Sequence, residues 1–205
     1  MHPEILSKEQ KELLPLIRQF KREFHLVGET ALALQIGHRG SIDFDLFKLS
    51  DLNVAKTLKK INASKIPYVV TRRVSDQINL VINAVKITFF QYPYVIESSM
   101  DFEKSIRMPD LLTLAAMKAY ALWRRAKWKD YVDLYFLLRD RFTFDQIIQK
   151  AKSLFGQMIS EKLFRSQLAF HEDIDYSEPI EYMPGFEASG REIKDFLIDK
   201  SLHGI

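Results

Sequence analysis

The spacing of hydrophobic residues predicts that the first half of the chain alternates helices with short strands. The predicted helices are 7–22, 30–36 and 51–61, and the predicted strands are 24–27, 41–47, 66–74, 78–82 and 85–90. Ser7, Thr30 and Ser50 stand where these helices need N-caps, and Gly37 follows the second helix as a C-terminal glycine. The last two strands are joined by a tight turn at residues 83–84.

The second half of the chain has the periodicity of helices. Apolar residues recur at helical spacing in 111–125, 131–138, 144–155, 161–170 and 191–202, whereas 171–190 is predicted to be irregular. The pattern predicts an α+β fold, in which a mixed sheet with flanking helices is followed by a helical part. We place the boundary near residue 100, so that 1–100 forms the core and 101–205 a helical region packed on it.

Two aspartates in the strand predicted at 41–47 are the strongest candidates for chemistry. Side chains alternate faces along a strand, so Asp43 and Asp45 share one face. The residues that point the other way, into a core, are Ile42, Phe44 and Leu46. Two ionised carboxylates side by side repel each other, and a shared divalent cation removes that cost. Mg²⁺ prefers such oxygen ligands together with substrate phosphates, which predicts a metal–nucleotide site.

A glycine turn precedes these aspartates. Gly28 ends a strand and leads into a helix, where a phosphate can approach the backbone and the free N–H groups of the helix. Thr30 adds a hydroxyl, and Arg39 is placed to reach a phosphate or to hold a carboxylate. An ordinary tight turn is the alternative explanation for Gly28.

A second cluster combines bases and acids in the helical half. Lys118 and Arg125 lie on one helical face, and Lys118 has apolar neighbours. A buried charge needs an anionic partner, which is either a triphosphate or an internal aspartate. Asp130 and Asp133 share a face, and each is a candidate general base, metal ligand or partner of Arg125.

Composition narrows the class of protein. The chain has 205 residues, 47% of them hydrophobic, and no cysteine, which excludes disulfides and cysteine-ligated zinc. The sequence has neither the pattern of a signal peptide nor an apolar stretch of about 18 residues. We therefore expect a cytoplasmic protein that does not enter a membrane.

Charge is unevenly distributed along the chain. The net charge is only +3, but the charged residues of 111–129 are all basic and those of 166–190 are all acidic. A basic cluster attracts phosphates, although it is as often a solvated helix face. The acidic segment either folds over the basic one or keeps the surface soluble. Four aromatic residues are candidates for stacking on a base, although core packing is the commoner role: Tyr92, Tyr94, Trp123 and Trp128.

The two motifs together resemble the AbiEii/AbiGii abortive-infection nucleotidyltransferase toxins. The first is Gly-Glu-Thr-Ala-Leu-Ala-Leu-Gln-Ile-Gly-His-Arg-Gly-Ser-Ile-Asp-Phe-Asp-Leu-Phe at 28–47, and the second is Lys…Arg…Lys-Asp-Tyr-Val-Asp-Leu-Tyr at 118–135. The resemblance spans residues 24–140. It places the chain in the DNA polymerase β-like nucleotidyltransferase superfamily and implies that 1–100 is a minimal nucleotidyltransferase core.

The resemblance assigns roles to residues of both motifs. The implied nucleotide-binding residues are Gly28, Thr30, Arg39, Ser41, Lys118 and Arg125. The implied catalytic residues are Asp43, Asp45, Lys118 and Asp130, with Asp133 as a second candidate for the last acid. Asp43 and Asp45 would also hold the metal, which is Mg²⁺ or Mn²⁺.

An activity and partners follow from the same resemblance. The family transfers a nucleoside monophosphate from an NTP to a hydroxyl group and releases pyrophosphate. The implied acceptor is a tRNA 3′ end, another RNA or a protein. A cognate antitoxin protein is the expected partner, in a toxin–antitoxin or abortive-infection system.

Two positions depart from the family's pattern. Glu29 stands where the family has glycine or serine, and its carboxylate would repel a triphosphate unless it pairs with a base such as Arg39. Thr88 stands on strand 85–90, where the superfamily has a third metal-binding acid. These departures favour a second hypothesis, a protein that binds a nucleotide or a partner without catalysis. A third is a metal-dependent phosphohydrolase that uses the same carboxylates.

Overall fold

The computed structural model describes residues 1–122 and 124–202, so the base-stacking candidate Trp123 lies outside the described residues. The chain divides into two compact units, Met1–Asp110 and Leu111–Ile205. Because the division follows Asp110, the residues just after the predicted boundary near residue 100 belong to the first unit.

The first unit contains the predicted sheet. Its strands are β1 (His25–Val27), β2 (Phe44–Lys48), β3 (Val69–Arg73), β4 (Gln77–Ile82), β5 (Val85–Gln91), β6 (Met100–Phe102) and β7 (Ile106–Met108). Its α-helices are α1 (Lys8–Arg18), α2 (Gly28–Ile36) and α3 (Val54–Ala63). One sheet has the order β1-β2-β5-β4-β3, with β2 and β5 parallel and the other neighbours antiparallel. The prediction of an α+β fold with a mixed sheet is confirmed, whereas the β6–β7 hairpin was not predicted.

Local sequence determines where α1 begins and where α2 ends. The Ser7 side chain accepts a hydrogen bond from the Gln10 backbone N–H, and the Gln10 side chain accepts one from the Ser7 N–H. This reciprocal capping box confirms the predicted start of α1. Gly37 ends α2 with a left-handed φ of +79°, as the sequence predicts.

The other two predicted N-caps are wrong. The second helix begins at Gly28, so Thr30 lies inside it, and its hydroxyl makes a long-range hydrogen bond instead of a cap. The third helix is capped by Asn53, whose side chain accepts the Lys56 N–H, and not by Ser50. At α3 another side chain therefore makes the cap, whereas the N-cap of α2 is Val27, which makes no side-chain cap hydrogen bond.

One face of the sheet is apolar and buried, as the alternation in the sequence predicts. Phe44 and Leu46 in β2, and Ile87 and Phe89 in β5, are at most 1% exposed. Ile42 was predicted to join them but is 60% exposed, because the strand begins only at Phe44. Asp45 of β2 and Thr88 of β5 lie on the opposite face.

A tight turn joins β4 to β5, and an exposed strand forms one edge of the sheet. Asn83 and Ala84 both have positive φ angles, +50° and +63°, which confirms the tight turn between β4 and β5. β3 is the edge strand, and all five of its residues are exposed.

The second unit is helical, as predicted. Its α-helices are α4 (Leu111–Leu122), α5 (Trp128–Asp140), α6 (Phe144–Phe155), α7 (Glu161–Ala169) and α8 (Gly190–Leu202). α5 forms its core, since residues 129–138 are all buried. The segment 171–189 between α7 and α8 is irregular, which confirms that prediction. Within residues 1–122 and 124–202, every helix is too short or too polar to cross a membrane.

Candidate active site

Gly28 and Asp45 lie against each other where β1 leads into α2. Val27 faces Asp45 across the two strands, and Gly28 follows directly with a φ of +72°. A Cβ built on Gly28 would lie 2.5 Å from Oδ2 of Asp45, closer than side chains approach in real structures. Position 28 therefore needs glycine both for its backbone conformation and for the carboxylate beside it.

Gly28→Ala should displace the Asp45 carboxylate. We expect the predicted nucleotidyl transfer to fall further than the loss of stability alone explains. A left-handed alanine costs about 1–2 kcal/mol by itself. The matched control is Gly185→Ala, where φ is +86° but nothing in the described chain lies within 4 Å of the added Cβ. Urea unfolding and a transfer assay on both variants separate backbone strain from displacement of the carboxylate. Equal losses of transfer in the two variants would contradict the proposed contact.

Three buried polar side chains hold the backbone that precedes β2. The carbonyl oxygen of Asp43 accepts hydrogen bonds from the Thr30 hydroxyl and, at 3.3 Å, from Gln10 Nε2. The Thr30 hydroxyl also lies 2.7 Å from Ser41 Oγ. Thr30 and Ser41 therefore fix the position of the Asp43 segment, and a phosphate contact by either stays a prediction. Gln10 was not predicted as part of this site, because its place in the α1 capping box already accounts for it.

Glu29 pairs with Arg39, the arrangement that relieves the predicted repulsion. One guanidinium nitrogen of Arg39 lies 3.1 Å from Glu29 Oε2, and another donates to the carbonyl oxygen of Gly40. The Arg39 side chain is 1% exposed and that of Glu29 17%. The paired carboxylate adds little net negative charge to the start of α2, so the first departure from the family's pattern is compensated.

β5 places Thr88 and Lys86 beside the two aspartates. Thr88, which the sequence resemblance predicts to stand in place of an acid, is buried and in register with Asp45. Lys86 Nζ lies 3.8 Å from Asp43 Oδ2. Within residues 1–122 and 124–202, no group of three or more histidine, cysteine, aspartate or glutamate side chains could hold a metal.

The donor set nevertheless fits one hard divalent cation. Asp43 and Asp45 flank the buried Phe44 and are themselves partly exposed, so both carboxylates lie away from the core. Gly28 keeps free the space beside Asp45 that a Cβ would fill. Mg²⁺ is commonly held by one or two carboxylates while phosphate oxygens and water supply the remaining ligands.

In the second unit, Lys118 is buried between two aspartates. Its ammonium group lies 2.7 Å from Oδ1 of Asp130 and 2.8 Å from Oδ2 of Asp133. Arg125, whose side chain is 49% exposed, approaches the other oxygen of Asp130 to 3.1 Å. Of the alternatives that the sequence left open, the internal bridge is therefore present, and Asp130 is the partner of Arg125. A phosphate contact by Lys118 or Arg125 stays a prediction.

The acidic segment 171–189 folds over the residues that precede α5, which was one of the two alternatives. The Asp175 N–H donates to the carbonyl oxygen of Ala126 at 2.7 Å, and the Asp175 carbonyl oxygen accepts from the Trp128 N–H at 3.0 Å. The aromatic rings of Trp128 and Tyr176 are also in contact, with their centroids 5.3 Å apart. For Trp128, packing is thus the role that the structure displays.

Glu178 ties the same segment to two lysines. Its carboxylate lies 3.1 Å from Lys129 Nζ and also pairs with Lys127. Burial raises the pKa of Glu178, but hydrogen bonds from the two lysines outweigh burial and lower the pKa from 4.5 to about 2.

Acid should release this segment over a defined pH range. The folded pKa of Glu178 is depressed from 4.5 to about 2, so its contribution is complete above pH 4.5 and is lost as the pH falls towards 2. We expect the protection of the Asp175 and Trp128 amides from hydrogen exchange to fall across this range. In Glu178→Gln it should be low already at neutral pH.

The control for this experiment is Glu187→Gln in the same segment. Glu187 lies further along this segment than Glu178 and accepts a hydrogen bond from the Gly185 N–H. Its exchange profile should follow that of the unaltered protein. Protection that is independent of pH, or equal effects of the two substitutions, would contradict the assigned role of Glu178.

Comparison with known proteins decides the family. Residues 71–197 match the model of the nucleotidyl transferase AbiEii toxin family of type IV toxin–antitoxin systems. The chain belongs to this family. The matched range includes Thr88, Lys118, Arg125, Asp130 and Asp133, whereas the motif from Gly28 to Asp45 precedes it.

One relative by sequence and two solved structures resemble this chain. The uncharacterized protein aq_aa25 of Aquifex aeolicus is 26% identical over 94% of this chain and 98% of its own length. The solved structure of MenT4, a nucleotidyltransferase toxin of Mycobacterium tuberculosis, matches with a TM-score of 0.63 and 14% identity, over 94% of this chain and 80% of that one. JHP933 of Helicobacter pylori matches with a TM-score of 0.57 and 17% identity, over 96% and 91%. At such identities the two structures show a shared fold.

Proposed function

We propose that this protein is a Mg²⁺-dependent enzyme that moves a nucleoside monophosphate from an NTP to an RNA hydroxyl, such as a tRNA 3′ end. The observation that carries the proposal is the close approach of Gly28 and Asp45 at the start of α2. It brings backbone N–H groups and carboxylate oxygens together, the two kinds of group that a metal-bound triphosphate needs. A protein hydroxyl is the alternative acceptor.

Each group of the first unit has a task that its surroundings support. The N-cap of α2 is Val27, whose side chain offers no oxygen, so the first-turn N–H groups can donate to the terminal phosphates. Asp43 and Asp45 hold the metal, which when bound neutralises phosphate charge and polarises the transferred group. Thr30 keeps the Asp43 backbone in place, and Arg39 neutralises the carboxylate at the start of the helix.

For the second unit, the proposed roles are those that the sequence resemblance assigns to Lys118 and Asp130. Lys118 neutralises negative charge that develops on the transferred phosphoryl group, and Asp133 holds its ammonium. Asp130, oriented by Arg125, accepts the proton of the attacking hydroxyl. The hydroxyl oxygen bonds to the α-phosphorus as the bond to pyrophosphate breaks.

A transfer assay tests this proposal. The full chain is incubated with each common NTP carrying an α-phosphate label, with bulk tRNA or total cell protein, and with Mg²⁺ or a chelator. We expect label in tRNA from at least one NTP and none with the chelator. Label in protein alone would change the acceptor, and label in neither would contradict the proposal.

We further propose that the toxin acts in the cytoplasm, where NTPs and tRNA are available, and that a cognate antitoxin counteracts it. The family's place in type IV toxin–antitoxin systems supports the existence of an antitoxin. Growth arrest on expression, reversed by a neighbouring gene product, is the expected phenotype.

One observation favours a second candidate, a nucleotide-binding protein without transfer activity. Thr88, not an acid, is in register with Asp45. Calorimetry distinguishes the two candidates: Mg²⁺-dependent NTP binding without turnover on RNA or protein would favour the second. Thr88→Asp should then gain activity.

A further inference from the structure

A row of polar side chains crosses the sheet from the candidate metal site to its exposed edge. The register pairs Asp45 with Thr88, Thr88 with Asn79, and Asn79 with Arg72. Paired residues of neighbouring strands project from the same face of a sheet. The four side chains therefore lie in line on the face opposite Phe44 and Ile87, on β2, β5, β4 and β3 in that order.

The row leads away from the proposed triphosphate site. Gly28 follows β1, which pairs with β2 on one side, whereas β5, β4 and β3 continue the sheet on the other side. Successive strands lie about 4.8 Å apart, so the backbone of Arg72 is about 14 Å from that of Asp45. Attacking and leaving oxygens are roughly in line in phosphoryl transfer, so with pyrophosphate on the Gly28 side the acceptor enters along the row.

The chemistry of the row suits an anionic chain. The charged residues of β3, β4 and β5 that share the face of the row are both basic, Arg72 and Lys86. Arg72 is exposed, and in the described chain no carboxylate is within ion-pair distance of it. Asn79 Oδ1 accepts from Gln77 Nε2 at 2.7 Å, which leaves the Asn79 amide N–H groups as donors.

We propose that Asn79 and Arg72 bind the phosphodiester backbone of a nucleic-acid acceptor whose terminal hydroxyl lies near Asp45. Arginine, asparagine, glutamine and threonine are the side chains that contact nucleic-acid phosphates and sugars, and the row consists of these types. The inference rests on the proposed transfer, because it uses the position of the triphosphate. It names the acceptor as an RNA chain and not as a protein.

Two neighbouring arginines provide a matched test. A bulge between Val70 and Arg72 sets Arg72 opposite Asn79, while Arg73 is opposite Ile78 on the apolar face. Both arginines are exposed on the same edge strand, so Arg72→Ala and Arg73→Ala remove the same charge from opposite faces. The probe is a short single-stranded RNA with a fluorescent 5′ label, titrated with the full-length variants at several salt concentrations.

Arg72→Ala should weaken RNA binding about fivefold at 0.1 M salt and reduce the salt slope by about 0.7, the effect of one lost phosphate contact on a single strand. Asn79→Ala should weaken binding without changing the slope, since it removes an uncharged donor. Arg73→Ala should match the unaltered protein. NTP affinity, measured by calorimetry, should be unchanged in all three variants.

The outcomes separate this inference from the proposed function. Equal effects of Arg72→Ala and Arg73→Ala on RNA binding would contradict the proposal that the row binds the RNA backbone. This holds whether or not the unaltered protein transfers nucleotides. Loss of protein labelling in Arg72→Ala with unchanged RNA binding would make the row a protein-binding site and also overturn it. Failure of the unaltered protein to transfer, with the expected difference in RNA binding, would contradict the proposed function alone.

Discussion

Replacing both Asp43 and Asp45 by asparagine is expected to abolish nucleotidyl transfer and cellular toxicity while the protein stays folded. Both side chains are partly exposed, and asparagine has nearly the same shape, so little packing is lost. The carboxylates are the proposed metal ligands, and a metal stabilises the transition state by several kcal/mol. Since each 1.36 kcal/mol is a factor of ten, the loss should be at least about a thousandfold.

The control for this double variant is Asp51→Asn. Asp51 follows β2, is exposed and accepts a hydrogen bond from Gln91 at 3.1 Å. It removes a carboxylate from the same region without touching the proposed site, so it should transfer like the unaltered protein. Circular dichroism and urea unfolding check the fold of each variant. Transfer by the double variant within about tenfold of the unaltered protein would contradict the metal assignment.

The sequence predicted those features of the site that depend on short-range patterns. The alternation around Asp45 identified the buried neighbours Phe44 and Leu46, and Gly28 was identified as the turn before α2. The failures arose where a distant partner decides. Ile42 is exposed because the strand starts late, and the segment before it is held by Gln10. No spacing within either segment reveals that contact.

The pairing register of the strands could not be predicted from the hydrophobic pattern of the sequence either. A slip by one residue moves every side chain of a strand to the other face. The bulge between Val70 and Arg72 makes such a change within β3, and it determines which arginine lies in the row with Asp45. All five residues of β3 are exposed, so hydrophobicity carries no information about its faces.

The second unit shows where spacing leaves alternatives open. Lys118 in apolar surroundings required an anion, and both a triphosphate and an internal aspartate satisfied that requirement. The fold brings Asp130 and Asp133 to the same ammonium group, because α4 and α5 pack against each other. The helical spacing of the two aspartates was correct, but their partner depended on how two helices pack.

Lys118→Ala is expected to lower the free energy of unfolding by about 3–5 kcal/mol, the usual cost of removing one partner from a buried ion pair. Asp130 and Asp133 are both fully buried, and each loses its contact with the ammonium group. Arg125→Ala removes a half-exposed partner of Asp130 and should cost about 1 kcal/mol or less. Urea unfolding of both variants measures the difference. A smaller loss of stability in Lys118→Ala than in Arg125→Ala would contradict the stabilising role of the buried Lys118 cluster.

A triple variant separates the structural role of Lys118 from its proposed role in transfer. Lys118→Met with Asp130→Asn and Asp133→Asn removes all three charges together, so no buried charge is left without a partner. Stability should recover most of what Lys118→Ala loses, whereas transfer should stay absent because both the ammonium group and the proposed base are gone. Transfer that returned with stability would mean that Lys118 and Asp130 only hold the two helices together, and that the chemistry lies with Asp43 and Asp45.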